Sequence, residues 1–571
     1  MLKSTAGGGG IGMQQCAGPD DLARAFEAVR ELAGNNFGDS GVFLERLIKE
    51  PRHVEVQAFG DGAGNVVTLG DRDCSLQRRH QKVIEECPAP GIPEPIRDAM
   101  QAQARKLLES VSYANAATVE FLYDAFEQNF YFLEVNTRLQ VEHGVTEEVY
   151  GVDLVEWMVR QAAGERIGQP LPPLGHAVQA RVYAENPLHD FRPAPGRITD
   201  VIWPATNVRI DAWVQPGSDV SPYFDPMLGK IIAHAESRDL AIKALDQALS
   251  DSRCYGVETN LNYLRSALSL PAFVKGEMST ASLGDIQYQP ATLEVMAPGP
   301  YTTIQSFPGR QGYWSVGVPP SGPMDDLSFR LANQLLGNAS DCAGLEIVVA
   351  GPTLQFNCDT SIAIVGDCEC LLDDDPCSTG RTVDVRAGQT LTVGRVISGC
   401  RAYLCFSGGL DLPVTLGSTA TFTLGNMGGL HGRTLNTGDT LHLNRRGHAA
   451  VASCEMPDYA SRHILRILLG PHTNPDFFDD DFMDSLVETQ WTVHYNSSRT
   501  GVRLTGPQPG WAREDGGEAG LHPSNIHDNA YAFGSIDFTG DMPVILGPDG
   551  PSLGGFVCPG VVINADRWKI G

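Results

Sequence analysis

The chain has 571 residues, too many for one hydrophobic core, so we expect two to four domains. Its 69 acidic and 42 basic residues give a net charge of −27, which argues against nucleic acid as a partner because nothing would neutralise phosphates. No apolar run approaches the roughly 20 residues of a membrane span. The N-terminal segment has no secretory pattern, and the scattered cysteines are typical of reduced thiols. We therefore expect a cytoplasmic protein without a membrane partner.

The chain opens on a strand-like pair, Leu2 and Lys3, which is followed at once by the glycine run 7–10. An amphipathic helix is predicted to begin at Pro19 and to stop at Gly34. A folded domain seldom begins inside a strand–loop–helix unit. This opening therefore predicts that residues upstream are missing.

Strand-like stretches at 54–59 and 66–69 and one clear helix at about 95–111 predict a mixed α/β layer. The α/β pattern continues to about residue 285. After about residue 290, short β-like runs, many glycines and repeated turn signals predict a β-rich domain.

The glycine run precedes a helix, so its backbone N–H groups could surround a phosphate. It lacks the Walker pattern GxxxxGK[ST], which excludes the common P-loop interpretation. Glycine runs are more often flexible loops, so the motif is weak alone. Lys3 lies before the run and could reach phosphate oxygens as a point charge.

A row of polar residues at i, i+2 spacing is more informative than the glycine run. The row consists of Glu134, Asn136, Arg138, Gln140 and Glu142. An extended chain would place all five on one face, and such a face is costly to bury unless something uses it. The alternative is an edge strand with a solvated polar face. We favour a functional face because the alternate positions look core-facing, namely Leu133, Val135, Leu139 and Val141.

The chemistry of the row suits a nucleotide and a small anion. Carboxylate and amide oxygens from Glu120, Glu134 and Asn136 suit Mg²⁺ or Mn²⁺ that bridges phosphates. Arg138 could hold a small oxyanion, and Glu142 could act as a general base beside it. A basic segment at 77–82, QRRHQK, would usually be a solvated loop. Beside a carboxylate cluster in an acidic chain, we predict an anion site there.

Four segments together resemble biotin carboxylase, an ATP-grasp enzyme. They are KSTAGGGGIGM, PRHVEVQ, RDCSLQRRHQKVIEE and FLEVNTRLQVEH. The resemblance covers about residues 1–285 and is highly specific. It implies an α/β ATP-grasp domain over 1–150, without its N-terminal part, and a biotin carboxylase C-terminal domain over 151–288. Gly144 stands where many relatives have proline, which we interpret as a loop change.

The resemblance also implies roles for individual positions. ATP would be contacted by Lys3, Gly9, Gly10, Glu45, Ile48, His53 and His80. The metals would be held by Glu120, Glu134 and Asn136. Bicarbonate would be bound by Lys82, Arg138 and Val141 and deprotonated by Glu142. Arg181 would stabilise the biotin enolate beside Arg138, and Asp225 matches another position on the biotin side.

Different motifs occur over 292–571. The segments IQSFPGRQG, GVPPSGPMD, SNIHD, DFTGDMPVIL and GPSLGGF resemble the KipA-like family, also called allophanate hydrolase subunit 2. This resemblance implies a mainly β, cyclophilin-like barrel over 292–571 with its C-terminal end missing. The order of biotin carboxylase and then KipA-like module is specific to the urea carboxylase lineage. There the module is part of the carboxyltransferase and is followed by a KipI-like module and a biotin carrier domain.

The implied activity is carboxylation of biotin with ATP and bicarbonate, followed by carboxyl transfer to urea to give allophanate. No biotinylation motif of the Ala-Met-Lys-Met type occurs, so the biotin carrier is expected outside this chain. The expected partners are a small acceptor, that carrier and a KipI-like module. A homo-oligomer is left open. The rival interpretations are a ligase of the carbamoyl-phosphate synthase type and an inactive or regulatory fragment that only binds ATP.

A small planar acceptor needs convergent polar groups, because an unpaired amide is expensive to bury. The candidates are Asn525, Asp528, Asp537 and Asp541, with Arg310 and Arg433 as cations; a turn or capping role is equally open for each. Related sequences often have an amide within the stretch 536–541. The carboxylate of Asp537 would favour a guanidinium through a charge-assisted pair, which makes guanidine the alternative acceptor.

Overall fold

Two compact units divide the chain at residue 288. The computed structural model describes residues 1–5, 12–38, 40–205, 207–444, 447–513 and 516–571. Met1–Tyr288 form the first unit and Gln289–Gly571 the second. No helix in these described ranges is long and apolar enough to cross a membrane. The domain bounds expected from the sequence (1–150, 151–288 and 292–571) stay predictions.

The first unit mixes helices and strands. Its helices are α1 (Pro19–Phe37), α2 (Glu94–Ser110), α3 (His143–Tyr150), α4 (Leu154–Ala162), α5 (Arg238–Asp251), α6 (Leu261–Leu268) and α7 (Pro271–Lys275). Its strands are β1 (Leu2–Ser4), β2 (Met13–Gln14), β3 (Val42–Leu44), β4 (Arg52–Asp61), β5 (Val66–Arg78), β6 (Gln81–Cys87), β7 (Ala114–Asp124), β8 (Asn129–Asn136), β9 (His176–Tyr183), β10 (Glu185–Asn186), β11 (Arg192–Pro193), β12 (Gly196–Arg197), β13 (Asp200–Ile202), β14 (Val208–Ala212), β15 (Asp219–Val220), β16 (Met227–Ala235) and β17 (Arg253–Tyr255). The elements expected at 54–59, 66–69 and 95–111 are present as β4, β5 and α2.

One eight-stranded antiparallel sheet organises the first unit, in the order β14-β16-β9-β6-β5-β4-β7-β8. Strand β4 shows how its two faces differ. Val54 and Val56 join a core that includes α2, whereas His53, Glu55 and Gln57 alternate with them and face the other side. Both sets are buried. The second face therefore carries polar groups that are shielded from water and need partners.

Helix α1 begins at Pro19 as expected but continues past the predicted stop at Gly34 to Phe37. Gly38 ends it in the left-handed region (φ 71°), where its N–H donates to the Gly34 carbonyl. A glycine inside a helix costs only about 1 kcal/mol. A cap with positive φ requires glycine more strongly, so Gly38 and not Gly34 ends the helix.

The polar row predicted on one strand is divided among three kinds of structure, so the expectation of a single extended face is wrong. Strand β8 ends at Asn136, and only Glu134 and Asn136 keep the i, i+2 arrangement. Arg138 and Gln140 lie in the following loop, and Glu142 directly precedes α3. The loop turns back onto the sheet. It buries Gln140 and Glu142, leaves Arg138 exposed, and leaves Leu133, Val135, Leu139 and Val141 only half-buried.

The second unit is built mainly from strands. Its helices are α8 (Asp326–Leu335) and α9 (Asp480–Glu488). Its strands are β18 (Thr292–Ala297), β19 (Tyr301–Gln305), β20 (Gly344–Val348), β21 (Thr353–Phe356), β22 (Thr360–Leu372), β23 (Asp375–Pro376), β24 (Thr382–Val385), β25 (Thr390–Phe406), β26 (Thr440–His442), β27 (Ile467–Leu469), β28 (Thr492–Val493), β29 (Gly501–Thr505), β30 (Asn525–Ala530), β31 (Ser535–Thr539), β32 (Met542–Leu546), β33 (Leu553–Phe556) and β34 (Gly560–Val562).

Two larger sheets with separate cores and a two-stranded sheet, β30-β33, make up the second unit. The long strands β22 and β25 pair along most of their length at the centre of a nine-stranded sheet. The other sheet has the order β27-β34-β31-β32-β29-β28 and packs against α9. A buried arginine connects them, because Arg499 donates to Glu346 on β20 at 2.6 Å and to Asp549 at 2.7 Å. This ion-paired link fixes the loop before β29 against the larger sheet.

Gly144 lies in the first turn of α3 and not in a loop, so the interpretation of a loop change is wrong. It is buried, and a Cβ at this position would overlap the Cδ1 atom of Ile232 on β16. Ile232 belongs to a small core with Val145 and Val149 of the same helix. The size of residue 144 and the size of residue 232 are therefore coupled.

We expect Gly144→Ala to destabilise the protein by about 1–3 kcal/mol through overpacking. Ile232→Val removes the overlapping methyl group and alone should cost about 0.5–1.5 kcal/mol. The double variant should be more stable than the sum of the two losses predicts, as measured by thermal unfolding of all four proteins. Strictly additive losses would contradict the packing described here.

Candidate active site

Lys82 lies at the centre of a buried group of glutamates in the first unit. Its Nζ is 2.6 Å from Glu55 Oε2, 2.6 Å from Glu142 Oε1 and 3.1 Å from Glu120 Oε1. Lys82 is on β6, Glu55 on β4 and Glu120 on β7, three strands of one sheet. Glu142 approaches from the turn before α3. The polar face of the sheet and this turn therefore enclose one ammonium among three carboxylates.

Electrostatics keeps this group ionised despite its burial. Burial favours the neutral form of Glu55, but Lys82 and Arg72 lower its pKa to about 2. Burial also opposes the charge on Glu120, yet His53 and Lys82 hold its pKa well below the usual range. Burial lowers the pKa of Lys82, and the surrounding carboxylates more than reverse this, so the pKa lies well above its ordinary value. The site thus contains permanent charges at neutral pH.

Two cations hold the carboxylate of Glu142. Lys82 contacts Oε1, and Arg181 Nη2 donates to Oε2 at 2.9 Å. Burial and the neighbouring Glu55 oppose ionisation, but Lys82 and Arg181 lower the pKa of Glu142. Arg181 is itself fixed by Glu85 at 2.5 Å. Glu142 is therefore an ionised carboxylate with a defined orientation, as a general base requires.

The predicted metal ligands Glu120, Glu134 and Asn136 are close together. Glu120 on β7 is paired with Glu134 on β8 in the strand register. Asn136 Nδ2 lies 3.0 Å from Glu120 Oε1 and 3.3 Å from Glu134 Oε1. Glu134 is exposed, so the group is open on one side. Two carboxylates and an amide with one open side fit the oxygen ligands that Mg²⁺ prefers.

The residues expected to contact ATP have different environments. His53 is buried and hydrogen-bonds to Glu120 at 2.9 Å. Ile48 is also buried, although the two residues that follow it are exposed. Lys3 forms an ion pair with Glu45 across β1 and β3. His80 is exposed in the tight turn between β5 and β6. The remaining two, Gly9 and Gly10, lie outside the described residues.

The basic segment 77–82 is largely occupied by carboxylates. Arg78 donates to Glu185 at 2.7 Å, and Arg79 pairs with Asp190. Lys82 is held by the three glutamates described above. Arg138, by contrast, is exposed, and its hydrogen bonds to Leu139 O and Asn136 Oδ1 are long, at 3.5 and 3.4 Å. Arg138 is therefore freer than the segment 77–82 to receive an external anion.

Several polar residues of the site were not identified from the sequence as site residues. Glu55 contacts Lys82, fully buried Arg72 bonds to Glu55 at 2.6 Å, and Glu85 orients Arg181. Lys230 on β16 donates to the Val141 carbonyl at 2.7 Å. The spacing of His53, Glu55 and Gln57 was an available signal for Glu55, because period two places it on the face of His53. Asp225, expected on the biotin side, lies in an exposed turn where it accepts from the N–H of Met227.

Asp537 is the most unusual of the predicted acceptor residues in the second unit. It lies on β31, where Ile536 and Phe538 face the core on the other side. Its side chain is 4% exposed, and Oδ1 has no hydrogen-bond partner. Burial raises the pKa of Asp537 to about 7. Burial, with this nearby carboxylate, also raises the pKa of Tyr531. A buried carboxyl oxygen without a hydrogen-bond partner marks a place where a ligand would supply one.

The other predicted acceptor residues are more accessible. Asp528 on β30 is exposed, and Asn525 at the start of that strand is half-buried. Asp541, in the turn after β31, is exposed and accepts from Trp511 Nε1 at 2.9 Å. Burial raises the pKa of Tyr531, and the charges of Asp537 and Asp528 raise it further. Asp541 is already used to position Trp511.

The two candidate cations also differ. Arg433 forms two hydrogen bonds with Asp439, at 2.7 and 2.8 Å, and is satisfied within its own turn. Arg310 is buried and donates one hydrogen bond, to the Ala420 carbonyl. Arg433 is therefore already paired with a carboxylate, whereas Arg310 Nε and Nη1 donate to no described residue.

Three family models match successive parts of the chain. The ATP-binding domain of carbamoyl-phosphate synthase L chain matches residues 1–169, and the biotin carboxylase C-terminal domain matches 179–285. The carboxyltransferase domain, subdomains A and B, matches 316–571. A biotin carboxylase from Halalkalibacterium halodurans is 45% identical over 285 residues, which are 49% of this chain and 63% of that protein. The chain thus matches models of an ATP-binding domain, a biotin carboxylase C-terminal domain and a carboxyltransferase domain, in the order that the resemblance implied.

Comparison over the whole chain gives the particular family. Urea amidolyase from Saccharomyces cerevisiae is 49% identical over 586 aligned positions, covering 100% of this chain and 32% of that protein. The crystal structure of Kluyveromyces lactis urea carboxylase superposes with a TM-score of 0.83 at 47% identity, covering 96% of this chain and 49% of that one. Over its whole length the chain is similar to urea carboxylases, and the expected fold class is confirmed. It spans between about a third and about half of the length of these relatives.

Asp537→Asn should change how stability depends on pH. The unfolded carboxyl group ionises near pH ~4, whereas burial delays ionisation to about 7 in the folded protein. Between these values the folded state binds more protons, so wild-type stability falls as pH rises, by up to about 1.4 kcal/mol per pH unit. Asparagine has no proton to lose, so the variant should lack this fall.

Melting temperatures of wild type and Asp537→Asn across this window provide the measurement. Asp528→Asn, at an exposed aspartate of the neighbouring strand β30, is the matched control and should follow the wild-type profile. Parallel profiles for wild type and Asp537→Asn would contradict a buried, unpartnered carboxyl group at residue 537.

Proposed function

We propose that the chain carries out two parts of urea carboxylation. The first unit would carboxylate biotin with ATP and bicarbonate, and the second would take part in carboxyl transfer to urea, which gives allophanate. The observation that carries this proposal is the ionised Glu142 carboxylate, held between Lys82 and Arg181 beside a metal-type ligand set. Such an arrangement suits proton abstraction from bicarbonate next to a bound nucleotide. The names of the relatives support urea as the acceptor.

Each residue of the first unit has a defined task in this proposal. Glu142 accepts the bicarbonate proton, and Lys82 keeps the base ionised until then. Arg138 and the backbone at Val141 hold the bicarbonate oxygens. Arg138 suits this role because it is exposed and lacks a strong partner. Lys230 fixes the Val141 carbonyl, so the bicarbonate side of the turn has little freedom.

The same geometry accommodates a nucleotide and its metal. Glu120, Glu134 and Asn136 would hold Mg²⁺ or Mn²⁺, which neutralises charge on transferring phosphoryl oxygens when bound. Contacts to ATP are proposed for Lys3, Gly9, Gly10, Glu45, Ile48, His53 and His80. His53 supports this assignment because its Nε2 already contacts Glu120 at 2.9 Å. Nucleotide and metal would therefore lie on the same side of the sheet as the base.

Arg181 and further modules complete the proposal. Arg181 would place positive charge beside the ring of biotin while the carboxyl group is transferred, because its Nη2 lies beside the proposed base, donating to Glu142 Oε2 at 2.9 Å. The biotin would be presented by a carrier domain outside this chain, and a KipI-like module would complete the carboxyltransferase. The described residues contain no disulfide among their thirteen cysteines, which supports a cytoplasmic location. A homo-oligomeric assembly remains part of the hypothesis.

Glu142→Gln tests the proposed base. Glutamine keeps the size of the side chain but cannot accept a proton, so bicarbonate-dependent ATP cleavage with free biotin should fall by about 100-fold or more. Binding of a fluorescent ATP analogue should be unchanged. Glu109→Gln, at an exposed site on α2, is the control and should keep full activity. Retained activity in Glu142→Gln would refute the assignment, and wild-type silence with intact ATP binding would favour a regulatory fragment.

Guanidine is a second candidate acceptor because Asp537 Oδ1 is buried without a hydrogen-bond partner. A guanidinium would give this buried carboxylate the charged partner that it lacks, whereas urea would bring only neutral N–H donors. Binding of guanidinium would also lower the pKa of Asp537 from about 7 and so release a proton. Asp528 is exposed and offers no comparable preference.

Asp537→Asn in an enzyme that has all modules should shift kcat/KM toward urea and away from guanidine. A charge-assisted hydrogen bond is worth about 1.5–3 kcal/mol, so the ratio should change by about tenfold or more. Steady-state kinetics with both acceptors gives the ratio, and Asp528→Asn serves as the control. An unchanged ratio would show that residue 537 does not select the acceptor.

A further inference from the structure

Arg310 is a buried cation whose charge is not balanced by a nearby partner. It follows β19 and is 2% exposed. Its Nη2 donates to the Ala420 carbonyl, while Nε and Nη1 have no partner. The carboxylate that influences it, Asp549, accepts two hydrogen bonds from Arg499 at 2.7 and 3.2 Å. Burial lowers the pKa of Arg310. A buried guanidinium whose N–H groups form no hydrogen bonds lowers the stability of the fold, unless an anion or a water molecule accepts those bonds.

Two parallel bridges define the surroundings of Arg310. They connect the segment 320–322 to the segment 420–421. The first bridge is Arg310, which donates from its backbone N–H to Pro320 O at 2.6 Å and from Nη2 to Ala420 O. The second is Gln305, which accepts from Gly322 N at 3.0 Å and donates to Thr421 O at 3.2 Å. Ser321 and Thr421 therefore directly follow the two residues to which Arg310 donates hydrogen bonds.

Ser321 and Thr421 both carry buried hydroxyl groups that form no hydrogen bond. Ser321 is 4% exposed and Thr421 is 1% exposed, and neither side-chain oxygen has a hydrogen-bond partner. Ser321 also has a backbone φ of 56°, a left-handed conformation that non-glycine residues seldom adopt. Such backbone strain persists only where the surrounding structure holds the residue in place, and it is common at binding sites. The structure thus gathers a guanidinium and two hydroxyls whose hydrogen-bonding capacity is unused.

Close backbone approach completes the arrangement. Gly428 and Gly429 both have positive φ, 69° and 51°. A Cβ on Gly428 would collide with Arg310 Nη2 and Ala420 O, and a Cβ on Gly429 would collide with the Thr421 hydroxyl. The backbone at these two positions therefore packs directly against Arg310 Nη2 and the Thr421 hydroxyl, and only glycine allows this approach.

We propose that Arg310, Ser321 and Thr421 form a buried binding site for a small carboxylate in the second unit. A guanidinium and two hydroxyls can all donate to carboxylate oxygens, whereas a neutral amide would leave the cation uncompensated. Under the proposed function, the ligand is the carboxyl group of the acceptor after its carboxylation. This identification of the ligand rests on the proposed function. The chemistry of the site itself depends only on the residues described above.

Oxamate is a suitable probe, because it is a stable planar molecule that joins an amide to a carboxylate. Oxamide is its neutral counterpart of similar size. Isothermal titration of the whole chain, without ATP, biotin or bicarbonate, should detect oxamate binding and at least about tenfold weaker binding of oxamide. Absence of oxamate binding, or equal binding of both molecules, would overturn the proposal.

Variants then locate the binding. Thr421→Val removes a hydroxyl that has no protein partner, so the fold should be retained while oxamate affinity falls by about tenfold. Ser321→Ala should act in the same direction. Thr360→Val is the matched control, because Thr360 is also fully buried with an unpartnered hydroxyl but lies on β22. It should bind oxamate as wild type does, and equal affinities in Thr421→Val and wild type would refute the site.

Arg310→Met should abolish oxamate binding, with circular dichroism as the check on folding. If Arg310→Met does not fold, the Thr421→Val comparison decides the question. Biotin carboxylation by the first unit is measured separately. Its failure beside normal oxamate binding would leave the anion site standing and refute the proposed function, whereas the reverse result would refute only the anion site.

Discussion

The shared ammonium of Lys82 makes it possible for three glutamates to be buried together on the polar face of the first sheet. Glu55, Glu120 and Glu142 all contact Lys82 Nζ within 3.1 Å. Removal of one partner from such a buried ionic group leaves an uncompensated charge and costs about 3–5 kcal/mol. The same ammonium couples the metal-type ligands to the proposed base, because Glu120 and Glu142 compete for it. A cation that withdraws charge from Glu120 would strengthen the hold of Lys82 on Glu142.

The contribution of the sequence differs between the two ends of this site. Glu120, Glu134 and Asn136 could be grouped before the structure was known, because adjacent strands and period-two spacing bring them together. The straight row through Glu142 was wrong, since the sequence contains no sign that the chain leaves β8 at Asn136 and turns back. The polar row and the family resemblance both identified Glu142 as a candidate base, but the period of the row placed it on the wrong element.

Long-range partners were the least predictable part of both units. Lys82 and Glu142 are 60 residues apart, and Arg181 and Glu85 are 96 apart, so no local pattern connects them. In the second unit, Asp528, Asp537 and Asp541 look alike in sequence, yet only Asp537 is buried. Burial depends on how β31 packs, which the residue type does not encode. The idle donors of Arg310 likewise depend on two loops more than 100 residues apart.

Strand β4 is covered on both faces from Arg52 to Gly60, and its neighbours β5 and β7 are nearly as inaccessible. Amide protons in such strands exchange with solvent only through large-scale opening of the domain. The carboxylate of Glu55 is therefore attached to one of the slowest-moving parts of the backbone. Lys82, which holds Glu142, is thus itself held by a carboxylate on a strand that opens only rarely.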